Sequence, residues 1–395
     1  MKRVAFIIHR YGADISGGAE FHCRAVAEAL QGSFEVTVLT TCATDHLSWK
    51  NVLDPGRTFL NGVCVMRFPS TQERDLEAFH EIYDQIFQTQ LSAEREQELL
   101  RRQGPYCPGL IEYLRTHASE YDAFVVFTCI YYPAIQAIPL IGDRAILVPT
   151  AHDEQSLYLH ILDELIPRVR TIFFNSEEER QLVQKRFALA STFGEVVGVG
   201  LSAPQDVQPD PAWVETASRL KGTPLLTFVG RVEKAKGCDE LADYFLCYIR
   251  ERQREDLHLL FLGHRSLPLP PHPQLLTPGR VSEQFKWAAL RDSTIVLAPS
   301  PFESLCLAAL EGWLAGKPLL ANGRCRVLVG HCLRSDGGLW YSNYEEFQAC
   351  LDLLLSDAAL QEKLGSQGRD YVLSTHRWDK VLDRYRQVLN TIARS

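Results

Sequence analysis

Short apolar runs alternate with stretches of helical periodicity along this chain, and the layout occurs twice. A strand that is apolar on both faces needs cover on both faces. The alternation therefore predicts an α/β protein, with parallel sheets and helices on each side. In the first half the runs are 3–8, 35–40, 63–68, 123–128, 145–150 and 171–176, with a short strand near 195–199. In the second half they are 225–230, 257–263, 294–300 and 318–322. At 395 residues the chain exceeds one typical domain. The proline-rich stretch 200–215 is the predicted linker and hinge. The expected organisation is a first domain over 1–199, that linker, and a second domain over 216–375. A helical insert at about 73–116 interrupts the first domain; its charged part, Glu73 to Arg102, reads as a solvated helix pair or as a part that recognises an acceptor. The stretch 267–274 reads as a rigid extended loop.

Composition removes several classes. The formal charge of −8 disfavours a general nucleic-acid binder. The N-terminal apolar run, Val4 to Ile8, is too short for a secretory core, and no run reaches membrane-spanning length. Eleven cysteines show no CxxC pair and no Cys/His ligand spacing, so reduced thiols in the cytoplasm and no metal site are expected.

The densest chemical pattern lies in 298–321. Glu303 is expected at a strand-to-helix turn and Glu311 about two turns into the helix. Glu311 is flanked by Leu307, Ala308, Ala309, Leu310, Trp313 and Leu314, where a buried acid needs a hydrogen-bonding partner. A sugar diol is one such partner; an ordinary amphipathic helix with surface acids is the competing reading. The backbone N–H groups of Ser304, Leu305, Cys306 and Leu307 offer an anion site at a helix start. Upstream, a strand ends at Gly230, and Arg231, Lys236 and Gly237 follow before a helix. Two cations there suit a diphosphate, or are plain surface charge. Gly17 and Gly18 lie between the first strand and first helix, where glycine permits close ligand approach or simply a turn. They do not form GxGxxG, which argues against a dinucleotide site. His152 follows the run 145–150, at the strand end where such sheets place ligands, with Asp153 and Glu154 to orient it or cap the next helix. Ser176 and Glu179 form a capping box.

In this order, Gly17-Gly18, His152, Gly230-Arg231…Lys236-Gly237, and Pro299-Ser300…Glu303…Glu311 with Ala315-Gly316-Lys317-Pro318 make the chain similar to the retaining glycosyltransferases of family 4. The similarity spans nearly the whole chain and is thin from about 50 to 140. It implies the GT-B fold, two Rossmann-like domains with parallel sheets facing a central cleft. The first would bind the acceptor and the second the nucleotide sugar. It implies that Arg231 and Lys236 hold the donor diphosphate, completed by the amides of Ser304 to Leu307. Glu311 would hold the ribose hydroxyls and Glu303 the donor sugar near C3 and C4. His152 would lie beside the reacting sugar, at its O6. The loop after Gly263 and the segment 278–281, with Arg280, would hold the base. The segment 376–395 would be a helix packing back on the first domain.

The activity implied is retaining, metal-independent transfer from a UDP-sugar or GDP-sugar to a sugar, lipid-linked or other hydroxyl acceptor. No cofactor, metal or nucleic acid is expected, and membrane contact would be weak and peripheral. A GT-B phosphorylase or epimerase, and a non-catalytic nucleotide-sugar-binding module, are the alternatives. Two departures stand out. Leu305-Cys306 occupy places where the family usually has Phe-Gly, which puts the shape of the phosphate pocket in question. Arg324 and Arg326 lie where a Gly-Gly loop is common, and read as surface charge or as contacts to an acidic acceptor.

Overall fold

The computed structural model describes residues 1–15, 17–86, 89, 91–204, 210–220 and 222–393. The chain divides into two compact units. Unit 1 is Met1–Val199 with Asp379–Ser395, and unit 2 is Gly200–Trp378. Residues 205–209, in the predicted hinge, lie outside the described residues.

Unit 1 is built on strands β1 (Arg3–Ile7), β2 (Glu35–Thr41), β3 (Gly56–Leu60), β4 (Val63–Phe68), β5 (Ala123–Phe127), β6 (Ala145–Val148), β7 (Thr171–Phe174) and β8 (Glu195–Val196). Their order in the sheet is β3-β4-β2-β1-β5-β6-β7-β8. All pairings are parallel except β3 with β4. Val4, Ala5, Phe6 and Ile7 are all fully buried, as a strand covered on both faces requires. Strand order reverses beside β1, which places a switch point between β1 and β5.

Unit 2 holds β9 (Leu225–Val229), β10 (His258–Leu262), β11 (Leu275–Gly279), β12 (Ile295–Ala298), β13 (Leu319–Asn322) and β14 (Gly338–Tyr341). The order is β11-β10-β9-β12-β13-β14, all parallel. Its switch point falls between β9 and β12.

Three strands escape the sequence reading. β3 is an antiparallel edge whose Arg57, Thr58 and Phe59 are all exposed, so it lacks an apolar run. β11 ends in Pro278-Gly279, which the sequence presents as a loop. β14 opens on Gly338, where a side chain would meet the Leu319 carbonyl oxygen at 2.6 Å.

The insert also differs from expectation. Over 73–102 it forms the expected pair of helices, Leu76–Tyr83 and Ala93–Gln103, with Pro108–His117 following, but the pair is packed rather than solvated; Phe87, Gln88 and Gln90 lie outside the described residues. Phe79, Ile82, Leu99 and Leu100 join the unit 1 core. Glu96 is buried, and its carboxylate accepts from the backbone N–H of His160 at 2.8 Å and of Ile161 at 2.9 Å. A buried acid satisfied by main chain looks the same in sequence as a solvated one. The helix Trp378–Ile392 contributes Tyr385 and Leu389 to unit 1, with Tyr385 edge-on to Phe173 at 4.9 Å between ring centres.

Candidate active site

In unit 2 the charged residues gather at the C-terminal ends of β9 and β12, on either side of the switch point. The chain leaves β9 at Gly230 and passes Arg231 and a 3-10 turn, Lys234–Lys236. It enters the helix Cys238–Arg252 through Gly237, in the left-handed region at φ +70°. A side chain at Gly237 would lie 2.5 Å from the Pro299 carbonyl oxygen. The bare glycine lets the turn press against the loop after β12, and that contact delivers Lys236 to Glu303. The Nζ–Oε1 distance is 2.7 Å, with the Lys236 side chain 24% exposed and Glu303 15%. Burial works against the Lys236 ammonium, but Glu303 holds its pKa above the ordinary lysine value. Arg231 lies beside Glu233 at 3.1 Å. Buried Asn322 donates to the Pro299 carbonyl at 2.8 Å and fixes the same loop from β13.

The helix after this loop is Leu307–Leu314. It begins later than expected. Ser304 and Leu305 lie in a bend before it, and Glu311 is little more than one turn in, not two. The delay comes from Cys306, which takes φ +66° as the residue preceding the helix. A glycine accepts that conformation without strain; a cysteine does not. Burial, then Glu303, push the Cys306 thiol well above its ordinary range, so it stays protonated and unreactive. Cys306→Gly is expected to keep or raise the melting temperature. Cys306→Val, β-branched in the left-handed region, costs about 1–2 kcal/mol by chemical denaturation.

Glu311 meets a partner that the sequence did not reveal. Lys286, on the helix Glu283–Asp292, places Nζ 2.6 Å from Glu311 Oε1 and 2.9 Å from Glu283 Oε2. Burial pushes the Glu311 carboxyl up, with Lys286 opposing. Burial pulls the Lys286 ammonium down, but Glu311 and Glu283 outweigh it and its pKa is raised. In sequence the Glu283–Lys286 spacing reads as a surface pair, which hides the third member. Gly263 and Arg280 follow β10 and β11 at the same edge of the sheet. Arg324 pairs with Glu240 and with Asn322 Oδ1, so it serves the loop rather than standing free.

Unit 1 carries its own polar cluster. Gly17 and Gly18 open the helix Gly18–Ala29, but Gly17 makes room for a side chain of the chain itself. A Cβ there would lie 2.1 Å from Glu20 Oε2. Buried Glu20 pairs with His9 Nε2 at 3.0 Å and with Arg10. Burial opposes its charge, but His9 and Arg10 hold the carboxyl well below the usual range. Tyr131, after β5, packs on His9 with ring centres 4.2 Å apart. These groups occupy the switch point between β1 and β5.

His152 lies one strand further along, after β6. Its Nδ1 is 3.3 Å from Glu154 Oε1. Asp153 instead accepts from Tyr158 Oη at 2.6 Å. The loop is anchored from beneath by Glu179. The capping box is only half formed: Ser176 Oγ accepts from the Glu179 N–H at 3.2 Å, but the Glu179 carboxylate does not return to Ser176. It spans the N–H groups of Ala151 and Asn175, both at 2.5 Å. Thr150, just before, sits at φ +48°. Burial pushes the Glu179 carboxyl up to about 8, against those two N–H groups. Unfolded, it would ionise near its ordinary value of 4.5. Folding therefore favours the protonated form, and stability falls as pH rises from about 4.5 through about 8. Glu179→Gln, neutral throughout, should flatten the slope of melting temperature against pH over that window. An unchanged slope would remove Glu179 as its source.

Among the described residues no group of three or more His, Cys, Asp or Glu side chains could hold a metal ion, and no helix is long and apolar enough to cross a membrane. A small cavity in unit 1, lined by Arg170, Glu195 and Arg384, shares no residue with either cluster.

Two α/β units on largely parallel sheets, each with charged groups at its switch point, match the GT-B class of fold. The fold is similar to sucrose-phosphate synthase from Thermosynechococcus elongatus, with TM-score 0.72, 16% identity and 99% of each chain covered. It is similar to alpha,alpha-trehalose 6-phosphate synthase from Burkholderia multivorans, with TM-score 0.71, 12% identity, and coverage of 100% of this chain and 99% of that one. Anabaena Alr3699/HepE, solved in complex with UDP and glucose, gives TM-score 0.68 at 11% identity, covering 99% of this chain and 100% of that one. At these identities the likeness is one of fold. Residues 223–357 match the family model of glycosyl transferases group 1. The chain thus has the GT-B fold, with a match to glycosyl transferases group 1 in unit 2. That match indicates a nucleotide-sugar glycosyltransferase.

Proposed function

We propose that the protein transfers a sugar from a UDP-sugar or GDP-sugar to an acceptor hydroxyl, with retention at the anomeric carbon and without a metal. The setting would be cytoplasmic synthesis of a polysaccharide, glycolipid or other glycoconjugate, with weak membrane contact where the acceptor is lipid-linked. The observation that supports this best is the switch-point cluster of Arg231, Lys236 and Glu303. In the reaction the bond from the anomeric carbon to the diphosphate oxygen breaks as the acceptor oxygen bonds on the same face. The departing phosphate oxygen takes the acceptor proton. Negative charge grows on the diphosphate, where Arg231, Lys236 and the amides of Ser304 to Leu307 would meet it. Glu303 engaged by a lysine is a weak nucleophile, so its role is to hold donor-sugar hydroxyls. Glu311 holds the ribose, Gly263 and Arg280 flank the base, and His152 is assigned to the reacting sugar.

A thermal-shift panel of nucleotide sugars, followed by transfer assays in EDTA with the product configuration read by NMR, tests the reading. A retained product in EDTA is expected. An inverted product, or activity that EDTA abolishes, overturns it. Turnover with free phosphate in place of an acceptor would identify a phosphorylase instead.

A further inference from the structure

We propose that Lys286 is a specificity-determining residue that makes the site select a ribose over a deoxyribose; this rests on the ribose role given to Glu311 above. The argument begins with what each atom of the ion pair has left to offer. Lys286 takes Glu311 Oε1 at 2.6 Å, and among the described residues no hydrogen bond reaches Glu311 Oε2. An ammonium has three N–H donors. Glu311 and Glu283 take two, at 2.6 and 2.9 Å, and leave a third. Both side chains are mostly buried, 14% exposed for Lys286 and 15% for Glu311, but neither is sealed off. The pair therefore presents one carboxylate acceptor and one ammonium donor side by side.

A hydroxyl both donates and accepts. A vicinal diol set against this pair gives one O–H to Glu311 Oε2 and receives one N–H from Lys286. A carboxylate alone would satisfy only the donating half. Without the hydroxyls, two partly desolvated charged groups keep unused hydrogen-bonding capacity, and that is costly. A site built to bond a hydroxyl rejects the analogue that lacks it far more strongly than an apolar pocket would. Position agrees with this role. The helix bearing Lys286 begins directly after 278–281, the segment placed at the base, and its ammonium reaches the acid placed at the ribose. Glu283, one turn earlier, keeps Lys286 in place when the ligand draws on Glu311.

The test measures calorimetric Kd for UDP and GDP, and for the 2′,3′-dideoxy form of whichever binds more tightly. Wild type is expected to bind the ribo form at least tenfold more tightly. In Lys286→Met that ratio should fall to about threefold or less, with the loss falling on the ribo form. If Lys286 only supports the fold, both affinities drop together and the ratio stays at the wild-type value, which overturns the proposal. If wild type itself does not discriminate, the ribose role of Glu311 fails first, and the two failures are thereby told apart. Should Lys286→Met not fold by its melting curve, Lys286→Gln, which removes the charge and keeps a polar tip, is read against the same ratio.

Discussion

Lys236→Ala is expected to lower turnover by roughly 10²–10³-fold in folded enzyme, alongside a fall in melting temperature from loss of the ion pair. Lys236 touches Glu303, and it stands at the end of β9 facing the loop after β12. In the proposed reaction it meets charge that grows as the diphosphate departs, so its loss weighs on the transition state more than on the bound donor. The effect should therefore appear in kcat more than in KM. Arg231→Ala should fall in the same range. Lys236→Arg should not restore the rate, because a planar guanidinium cannot occupy the place of a compact ammonium 2.7 Å from Glu303. Release of nucleoside diphosphate in a coupled assay with an identified donor measures all three. Wild-type rates in the alanine variants would remove both residues from the chemistry.

Gly263→Ala is expected to cost about 3 kcal/mol or more of stability and to abolish donor binding. Gly263 ends β10 at φ +145°, a region nearly closed to other residues. Its N–H donates to the Gly279 carbonyl at 3.0 Å, and the Gly230 N–H donates to the Leu262 carbonyl at 2.9 Å. Three neighbouring strand ends are thus stitched together here. A methyl group would stand 1.9 Å from the Gly230 carbonyl oxygen, which is backbone and has nowhere to move. Displacing Gly230 moves Arg231, so fold and site fail together. Gly279→Ala is the control. At φ +84° it carries backbone strain too, but no heavy atom lies within 4 Å of its added methyl group. It should cost only about 1 kcal/mol. Urea melts of the two variants separate crowding from strain, and equal losses would refute the crowding argument.

The strands that could be read from sequence are the central, doubly buried ones, such as Val4–Ile7 and Ile295–Ala298. Their signal is local, because every residue in them is apolar. β3 and β14 sit at sheet edges, where the burial that creates that signal is missing on one side. Of the candidate site residues, Arg231, Lys236 and Glu303 were visible as charged residues after strand ends, and Glu311 as an acid among apolar helix residues. Lys286, Glu20 and Glu179 were not. Lys286 and Glu20 looked like ordinary helical charges and Glu179 like half of a capping box, and only packing shows that each is buried against a particular partner. At Gly17, likewise, only packing shows that the chain's own Glu20 lies where a side chain would go.

The alternation of apolar runs and helical stretches is a property of neighbouring residues, so the sequence alone determined an α/β protein with two sheets. Strand order is not a local property. β9 lies beside β12 rather than β11 because the chain reverses its direction of travel across the sheet there. That reversal brings Lys236 to Glu303 across 67 positions of sequence, and Lys286 meets Glu311 across 25. The tertiary structure decided those pairs because two charges bind through the few ångströms between them, whatever the length of chain that joins them.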